Sequence, residues 1–328
     1  MPLLSRTHAR RHGLASAAAL ALIGSLFVLP SAEAAPAITP KDVAAAFHQA
    51  EALNEQVNQI TVDSQQTQNQ IDDITADIDH DLIGYNRQKS ALGSAIVQQQ
   101  MDAPLGPTVK LLSSDDPEAF LAGLGAVQAL NSTRADALEQ FGRSSKALKN
   151  RRAQLQDRQD QLTAAKKDAA SKRAEIRAKY QKAKTQLAQL TAAQQAKVDG
   201  PKPEAGPNIT VNVNASGRAK IAVDFALAQL GEPYVYGGAG PDSWDCSGLL
   251  MKAWAAAGVT IPRVVGPQMA AATSIPMSQL QPGDHVAYAD MSHIGMYLGG
   301  GKVIHAPRPG RNVEITGLDG FSEAARVG

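Results

Sequence analysis

The sequence predicts an α+β protein in which a long antiparallel helical coiled-coil hairpin precedes a small domain of helices packed on an antiparallel sheet. Glycine is concentrated in the last third, where 18 of the 27 glycines follow residue 200. Trp244 and Trp254 lie there too, and so does Cys246, the one cysteine. A single cysteine excludes an intramolecular disulfide and any multi-cysteine metal centre. The two parts of the chain are therefore expected to have different structures.

Residues 1–34 have the composition of a secretory signal peptide. Arg6 and the pair Arg10-Arg11 precede an apolar run from Leu14 to Leu29, and small residues follow. This order predicts cleavage after Ala34 and a mature chain that is secreted or held in the cell envelope, with no stable membrane insertion. A retained anchor is the alternative, although the run is short for a membrane span. The Arg pair leaves the twin-arginine route open beside the general one.

Residues 35–199 predict a hairpin of two long helices. The first extends from Lys41 to about Met101 and carries apolar residues at three- and four-residue steps, with Ser64 and Thr67 in two skipped positions. Two prolines in the segment 102–107 end it, because each removes an amide donor and clashes with the preceding turn. The second helix is expected to reach about Lys197. A seven-residue repeat along it predicts a supercoiled seam, formed by Leu148, Leu155, Leu162, Ala169, Ile176, Ala183 and Leu190.

Charge predicts how the two helices pair. Residues 41–100 carry nine acidic and three basic side chains, whereas residues 143–184 carry fourteen basic and four acidic ones. Helices of opposite charge joined by a short break should lie antiparallel, with charged residues paired across the seam. A basic helix could also bind an acidic cell-surface polymer, but its acidic partner would largely neutralise it. The mature chain is close to neutral, which argues against nucleic-acid binding.

Residues 200–216 predict an extended, proline-containing linker, and residues 217–328 a compact domain. The domain begins with a helix from Ala219 to Leu230, followed by a glycine-rich loop. Asp245 is a suitable N-cap for the next helix, which places Cys246 in its first turn. Backbone N–H groups and the helix dipole favour the thiolate at such a position, so Cys246 is a candidate nucleophile.

A base for this thiol is expected from a β-hairpin. The predicted strands are 285–288, 292–298, 302–305 and 313–315, with a glycine turn at 299–301. A three-residue turn would set Leu298 opposite Lys302 and His305 opposite Gly295. His293 and His305 would then share a face, where one imidazole can take the thiol proton and the other can orient it.

A metal site is the alternative use of these side chains. It would be built from Cys246, His293, His305 and His285, but the histidines lack tight ligand spacing. The sequence therefore predicts no metal and no cofactor.

Five motifs appear in order: PYVYGG, DCSGL, PGD, SHIGMYLG and VIHAP. Together they resemble the NlpC-like family of bacterial cell-wall cysteine peptidases, which have a papain-like fold, over residues 217–328. The resemblance implies that Cys246 is the nucleophile, His293 the base and His305 the residue that orients it. It implies that Tyr234 helps the Cys246 amide to hold the oxyanion. The implied substrate-binding residues are Asp245, Ser247 and Arg263. Tyr236 and Val264-Val265 depart from the usual residues of the family and leave the triad intact.

The whole layout resembles Rip-type peptidoglycan endopeptidases of actinobacteria. This resemblance implies cleavage of peptidoglycan stem peptides between D-γ-glutamate and meso-diaminopimelate, in wall remodelling and daughter-cell separation. It also implies recruitment by an FtsEX-type division complex through the coiled coil. An extended linker of this length reaches about 50 Å, enough for the hairpin to fold over the cleft and inhibit the enzyme. The alternative is that the hairpin only positions the enzyme and leaves its turnover unchanged. A catalytically idle scaffold that binds cell wall or division machinery is the competing hypothesis.

Overall fold

The computed structural model describes residues 38–101, 117–199 and 215–328. The predicted signal peptide, the proline-containing turn after residue 101 and residues 200–214 of the predicted linker lie outside these ranges. Within them, no helix combines the length and the apolar character needed to cross a lipid bilayer.

Two long helices form the predicted hairpin. Helix α1 spans Pro40–Met101 and helix α2 spans Pro117–Gln189. They are antiparallel, since Ala50 and Val57 pack on Ile176 near one end while Tyr85 stacks on Phe141 further along. Six of the seven predicted seam residues are buried, the last of them, Leu190, just beyond the end of α2, and Ser64 and Thr67 of α1 are half-buried. The predicted apolar repeat therefore has the phase that the structure shows.

Charges pair across the seam as expected, but rarely. Arg151 of α2 contacts Asp77 at 3.0 Å and Asp81 at 3.3 Å on α1. Elsewhere a lysine of α2 donates to a glutamine of α1, as Lys172 does to Gln56.

The second long helix ends earlier than predicted. It stops at Gln189 rather than near Lys197, and a separate helix, α3, spans Ala192–Asp199. Thr191 and Gln194 explain the break. The Gln194 amide donates to Thr191 Oγ1 at 3.3 Å, and the Thr191 amide donates to Gln194 Oε1 at 3.0 Å. This reciprocal arrangement is a capping box, which starts a new helix.

The C-terminal domain packs three helices against an antiparallel sheet of six strands in the order β1-β6-β2-β3-β4-β5. The helices are α4 (Gly217–Ala228), α5 (Cys246–Ala256) and α6 (Val265–Ala271). The strands are β1 (Thr273–Ser274), β2 (His285–Ala287), β3 (Ile294–Gly299), β4 (Lys302–His305), β5 (Glu314–Thr316) and β6 (Glu323–Arg326). A short 3-10 helix spans Met277–Gln279. The α+β prediction is confirmed; β1 and β6 were not predicted.

The β3–β4 hairpin corrects one predicted pair and keeps the register that matters. Gly299, not Leu298, lies opposite Lys302, and a bulge follows before Tyr297 pairs with Val303 and Met296 with Ile304. The three turn glycines all have positive φ, which tightens the turn and leaves Leu298 as the extra residue. Beyond the bulge, Gly295 lies against His305, as predicted: a Cβ added at Gly295 would lie 3.2 Å from His305 Cβ.

Helix α5 is the centre of the domain core. Its buried face carries Leu249, Leu250, Ala253 and Trp254, which join Ile294 and other sheet residues in one apolar cluster. At Gly248 the helix passes very close to the glycine-rich loop: a Cβ there would lie 2.1 Å from the Gly238 carbonyl oxygen. Backbone contact of this kind fixes the start of α5, and with it the position of the thiol.

We expect Gly248→Ala to destabilise the domain by about 1–3 kcal/mol, because the new methyl group must displace backbone. Gly266→Ala is the matched control, since a Cβ at Gly266, also in a helix, meets nothing within 4 Å. Both tryptophans lie in this domain, so urea unfolding followed by tryptophan fluorescence reports on it directly. Equal stability of the two variants would contradict the close approach.

Candidate active site

The thiol of Cys246 lies in the first turn of α5, as predicted. Asp245 is the N-cap, and its Oδ1 accepts a hydrogen bond from the Gly248 amide at 2.7 Å. Asp245 Oδ2 accepts another from the Gly237 amide at 3.1 Å, which ties the loop to the helix start. Cys246 itself is fully buried.

The two predicted histidines meet on one face of the sheet. His293 Nε2 and His305 Nδ1 are 2.7 Å apart, and both rings are buried. Thr316 Oγ1 lies 3.0 Å from His305 Nε2. The polar chain from Thr316 through His305 to His293 fixes the orientation of both rings. No sequence motif had indicated Thr316 as part of the site.

Cys246 and His293 are brought together, with one addition from α1. A carboxylate oxygen of Glu51, the thiol sulfur and a ring nitrogen of His293 all lie within 4.8 Å of one another. His293 Nδ1 has no hydrogen-bond partner among the described residues. The thiol and imidazole are thus neighbours, but no hydrogen bond yet joins them.

The three predicted substrate-binding residues form one cluster beside the thiol. Arg263 holds Asp245 through two contacts, of 2.6 Å to Oδ2 and 3.0 Å to Oδ1. The same guanidinium donates to Ser247 Oγ at 2.8 Å. Their polar groups therefore point at a common space next to Cys246.

Helix α1 occupies that space. Tyr234 donates its hydroxyl hydrogen to Glu51 Oε2 at 2.6 Å. Glu55 accepts from Ser247 Oγ at 2.9 Å and from the Val265 amide at 2.8 Å. The side-chain amides of α1 donate to Asp245 Oδ2, from Asn54 at 3.3 Å and from Asn58 at 3.0 Å.

The four α1 residues, at positions 51, 54, 55 and 58, form one face of the helix, here called the polar plug. All four are buried, at 6% exposure or less. A cavity of about 610 Å³ lies on one side, lined by His293, His305 and Glu51. Another of about 710 Å³ lies on the other side, lined by Tyr236, Arg263 and Asn58. The polar plug therefore fills the middle of a groove that stays open on both sides.

Further contacts fasten the base of the hairpin to the domain. The Arg308 guanidinium lies 4.1 Å from the ring centre of Phe47 and forms an ion pair with Asp199 of α3. Tyr180 of α2 donates to the Pro309 carbonyl at 3.2 Å. Both helices of the hairpin, and α3 after them, thus contact the domain.

Burial changes the ionisation of the site and corrects one expectation. The helix start was expected to favour the thiolate, but burial, with the carboxylates of Glu55, Asp245 and Glu51, raises the pKa of the Cys246 thiol well above its ordinary value. Burial first, and then the neighbouring His305, lowers the pKa of His293 well below its ordinary value. The closed site therefore holds a neutral thiol beside a neutral imidazole instead of an ion pair.

Burial also disfavours the charged form of the two carboxyl groups of the polar plug. Burial raises the pKa of Glu55 to about 7, with the charge of Asp245 adding to the effect. Burial also raises the pKa of Glu51 well above its ordinary range. Both carboxyl groups favour the protonated form while they lie in the groove.

Sequence reasoning missed the polar plug completely. Glu and Asn on a long helix are normally assigned to a solvated face, and nothing in α1 alone marks these as buried. Their spacing of three and four residues is the only local signal. Two positions that depart from the usual residues of the family lie at this contact. Val265 donates its amide hydrogen to Glu55, and the buried Tyr236 hydroxyl has no hydrogen-bond partner among the described residues.

Comparison with known proteins agrees with the motifs. The NlpC/P60 family model matches residues 231–325. A probable endopeptidase of Corynebacterium glutamicum is 40% identical over 110 residues, covering 33% of this chain and 49% of that protein. The gamma-D-glutamyl-L-lysine dipeptidyl-peptidase of Bacillus subtilis is 34% identical over 108 residues, covering 31% and 36%. The solved P60 domain of a Mycobacterium avium subspecies paratuberculosis antigen is 31% identical, with a TM-score of 0.32, over 33% of this chain and 93% of that one.

The chain spans less than half the length of these two curated relatives, 49% and 36% respectively. The family match lies in the C-terminal domain, where the motifs, the thiol at the start of α5 and the paired histidines of the sheet also lie. Over residues 231–325, the chain belongs to the NlpC/P60 family.

Proposed function

We propose that the protein is a secreted peptidoglycan endopeptidase of the cysteine type. The observation that carries this proposal is the placement of Cys246 at a helix start beside His293, whose ring is held by His305. A nucleophile, a base and an orienting group in contact are what thiol acyl transfer requires.

In this mechanism His293 takes the thiol proton and Cys246 Sγ attacks the carbonyl carbon of the scissile amide. The amide of Cys246 and the hydroxyl of Tyr234 hold the oxyanion that forms. His293 then protonates the leaving amine, which departs and leaves a thioester. Water, deprotonated by His293, hydrolyses the thioester and restores the thiol.

The proposed substrate is the peptidoglycan stem peptide, cut between D-γ-glutamate and meso-diaminopimelate. The name of the Bacillus subtilis relative supports a γ-D-glutamyl bond. Asp245, Ser247 and Arg263 would bind the peptide beside the thiol, where the polar plug now lies. We place the enzyme in the cell envelope, acting in wall remodelling and daughter-cell separation.

We propose further that the closed form is latent. The polar plug uses the donors of Tyr234 and Ser247 that a substrate would need, and it buries the thiol. An FtsEX-type division complex that pulls on the hairpin is the proposed means of release.

A catalytically idle scaffold remains the second candidate, because a filled groove is also what a non-enzymatic protein would show. The scaffold hypothesis gives no reason for the alignment of Thr316, His305 and His293. Activity of the domain without the hairpin separates the two hypotheses.

The triad makes the first prediction. In fragment 217–328, which lacks the polar plug, Cys246→Ala and His293→Ala should each abolish cleavage of purified stem peptides, because nucleophile and base act as a unit. His305→Gln should be milder, since an amide can still accept from the imidazole. Mass analysis of the products measures the loss and identifies the bond.

His285→Gln is the control, because His285 is buried in the same sheet but packs against Trp254 away from the thiol. It should keep its activity once thermal melting shows that it is folded. Cleavage by the Cys246→Ala variant would rule out the mechanism.

Latency makes the second prediction. Glu55→Lys in the mature full-length chain should raise cleavage of soluble muropeptides more than about tenfold, because an unpaired cation buried against Arg263 costs several kcal/mol. Fragment 217–328 should be at least as active. Gln66→Lys introduces the same charge at an exposed position of α1 and should leave the rate unchanged. If the wild-type mature chain cleaves muropeptides as fast as the fragment does, the hairpin only positions the enzyme.

The pKa of Glu55 makes a prediction about pH. Docking raises the pKa of Glu55 from 4.5 to about 7. The closed form is therefore most stable below about pH 4.5 and loses stability as pH rises to about 7. The difference corresponds to about 3 kcal/mol of docking free energy. The charged groups facing Glu55 are Asp245 and Arg263. Docking raises the pKa of Glu51 as well.

Small-angle scattering of the full-length chain should therefore show opening between about pH 5 and pH 8. Glu55→Gln, which mimics the protonated form, should reduce that change. Glu139→Gln, at an exposed site, should not. A profile that Glu55→Gln leaves untouched would mean that another group controls docking.

A further inference from the structure

Three side chains that commonly bind metal ions meet inside the closed groove, one from the hairpin and two from the catalytic domain. They are the carboxylate of Glu51, the thiol of Cys246 and the imidazole of His293, and their ligand atoms lie within 4.8 Å of one another. All three are buried, at 3%, 0% and 2% exposure. The set exists only while the hairpin is docked.

Two of the three residues have an unused polar atom. Glu51 Oε1 and His293 Nδ1 are buried without a hydrogen-bond partner among the described residues. The other atom of each is fixed, because Tyr234 donates to Glu51 Oε2 at 2.6 Å and His305 holds His293 Nε2 at 2.7 Å. A buried acceptor without a partner costs about 1–3 kcal/mol, so a further group is expected between them.

The donors select the kind of ion. Thiolate sulfur, imidazole nitrogen and carboxylate oxygen together suit Zn²⁺, whereas Mg²⁺ and Ca²⁺ prefer oxygen alone. Tetrahedral zinc places such ligand atoms about 3.3–3.6 Å apart, so a contraction of at most about 1.5 Å is needed. The contacts from Tyr234 and His305 supply the outer hydrogen bonds that orient zinc ligands.

We propose that Zn²⁺ binds Glu51, Cys246 and His293 and clamps the hairpin onto the catalytic domain. A thiolate, a carboxylate and a neutral imidazole balance the charge of the ion, so the buried site carries no net charge. The clamp occupies both nucleophile and base, and it links α1 to the start of α5 and to the sheet. Release of the hairpin then removes one ligand and weakens the hold on the ion.

This site differs from the metal site weighed from the sequence. His285 packs on Trp254, and His305 lies behind His293 as its hydrogen-bond partner. The third ligand is instead Glu51, 195 positions before Cys246 in the chain, which no spacing rule could have connected.

The test uses the reduced, mature full-length chain with Zn²⁺ and Co²⁺ as probes. Calorimetry should show one Zn²⁺ per chain. Co²⁺ should give the sulfur-to-metal charge-transfer band and the intense d–d bands of a tetrahedral thiolate site. Cys246→Ala should abolish the charge-transfer band. Glu51→Gln should weaken Zn²⁺ binding at least about tenfold.

Glu139→Gln is the matched control, since it makes the same chemical change at an exposed position of the hairpin, away from the groove. It should keep both the cobalt spectrum and the affinity. Zn²⁺ should also raise the melting temperature of the wild-type chain and of Glu139→Gln, and much less that of Glu51→Gln.

Unchanged affinity in Glu51→Gln would mean that the ion does not bridge the hairpin and would overturn the proposal. Absence of Zn²⁺ binding by the wild-type chain would overturn it as well. Both readouts are binding and stability, so they are independent of whether the domain cleaves peptidoglycan.

Discussion

The closed arrangement depends on the burial of four polar side chains of α1 in the groove of the catalytic domain. Carboxylates and amides can be buried only when they find partners. Asp245, Ser247, Tyr234 and the Val265 amide provide these partners for the polar plug. Because the same groups surround the thiol, covering the groove and occupying the residues proposed to bind substrate are a single event.

Docking of α1 leaves the orientation of the site residues intact but disfavours their ionisation. The polar chain from Thr316 through His305 to His293 is complete, so the His293 ring needs no rearrangement to be oriented. The same burial that hides Cys246 raises the pKa of its thiol and lowers that of His293, which disfavours the ion pair. Withdrawal of α1 would let water reach both groups, and a preorganised pair could then ionise.

Local patterns predicted most of the catalytic domain. The N-cap at Asp245 and the paired faces of His293 and His305 follow from rules that act within a few residues or across one turn. The heptad repeat of α2 likewise predicted which residues form the buried seam of the hairpin. The bulge at Leu298 and the capping box at Thr191 were missed, because each depends on a turn geometry that several sequences allow. The polar plug could not be predicted, since its partners lie almost two hundred residues away and its side chains resemble those of any solvated helix.

The reactivity of Cys246 tests the central claim most directly, because it is the only thiol in the chain. Its rate of alkylation by iodoacetamide should be measured at about pH 5, where docking of the hairpin is favoured, in the metal-free mature chain and in fragment 217–328. If α1 covers the groove, the mature chain should react at least about a hundredfold more slowly, which corresponds to about 3 kcal/mol of docking free energy. Equal rates in the two proteins would show that the groove is open and would contradict the account.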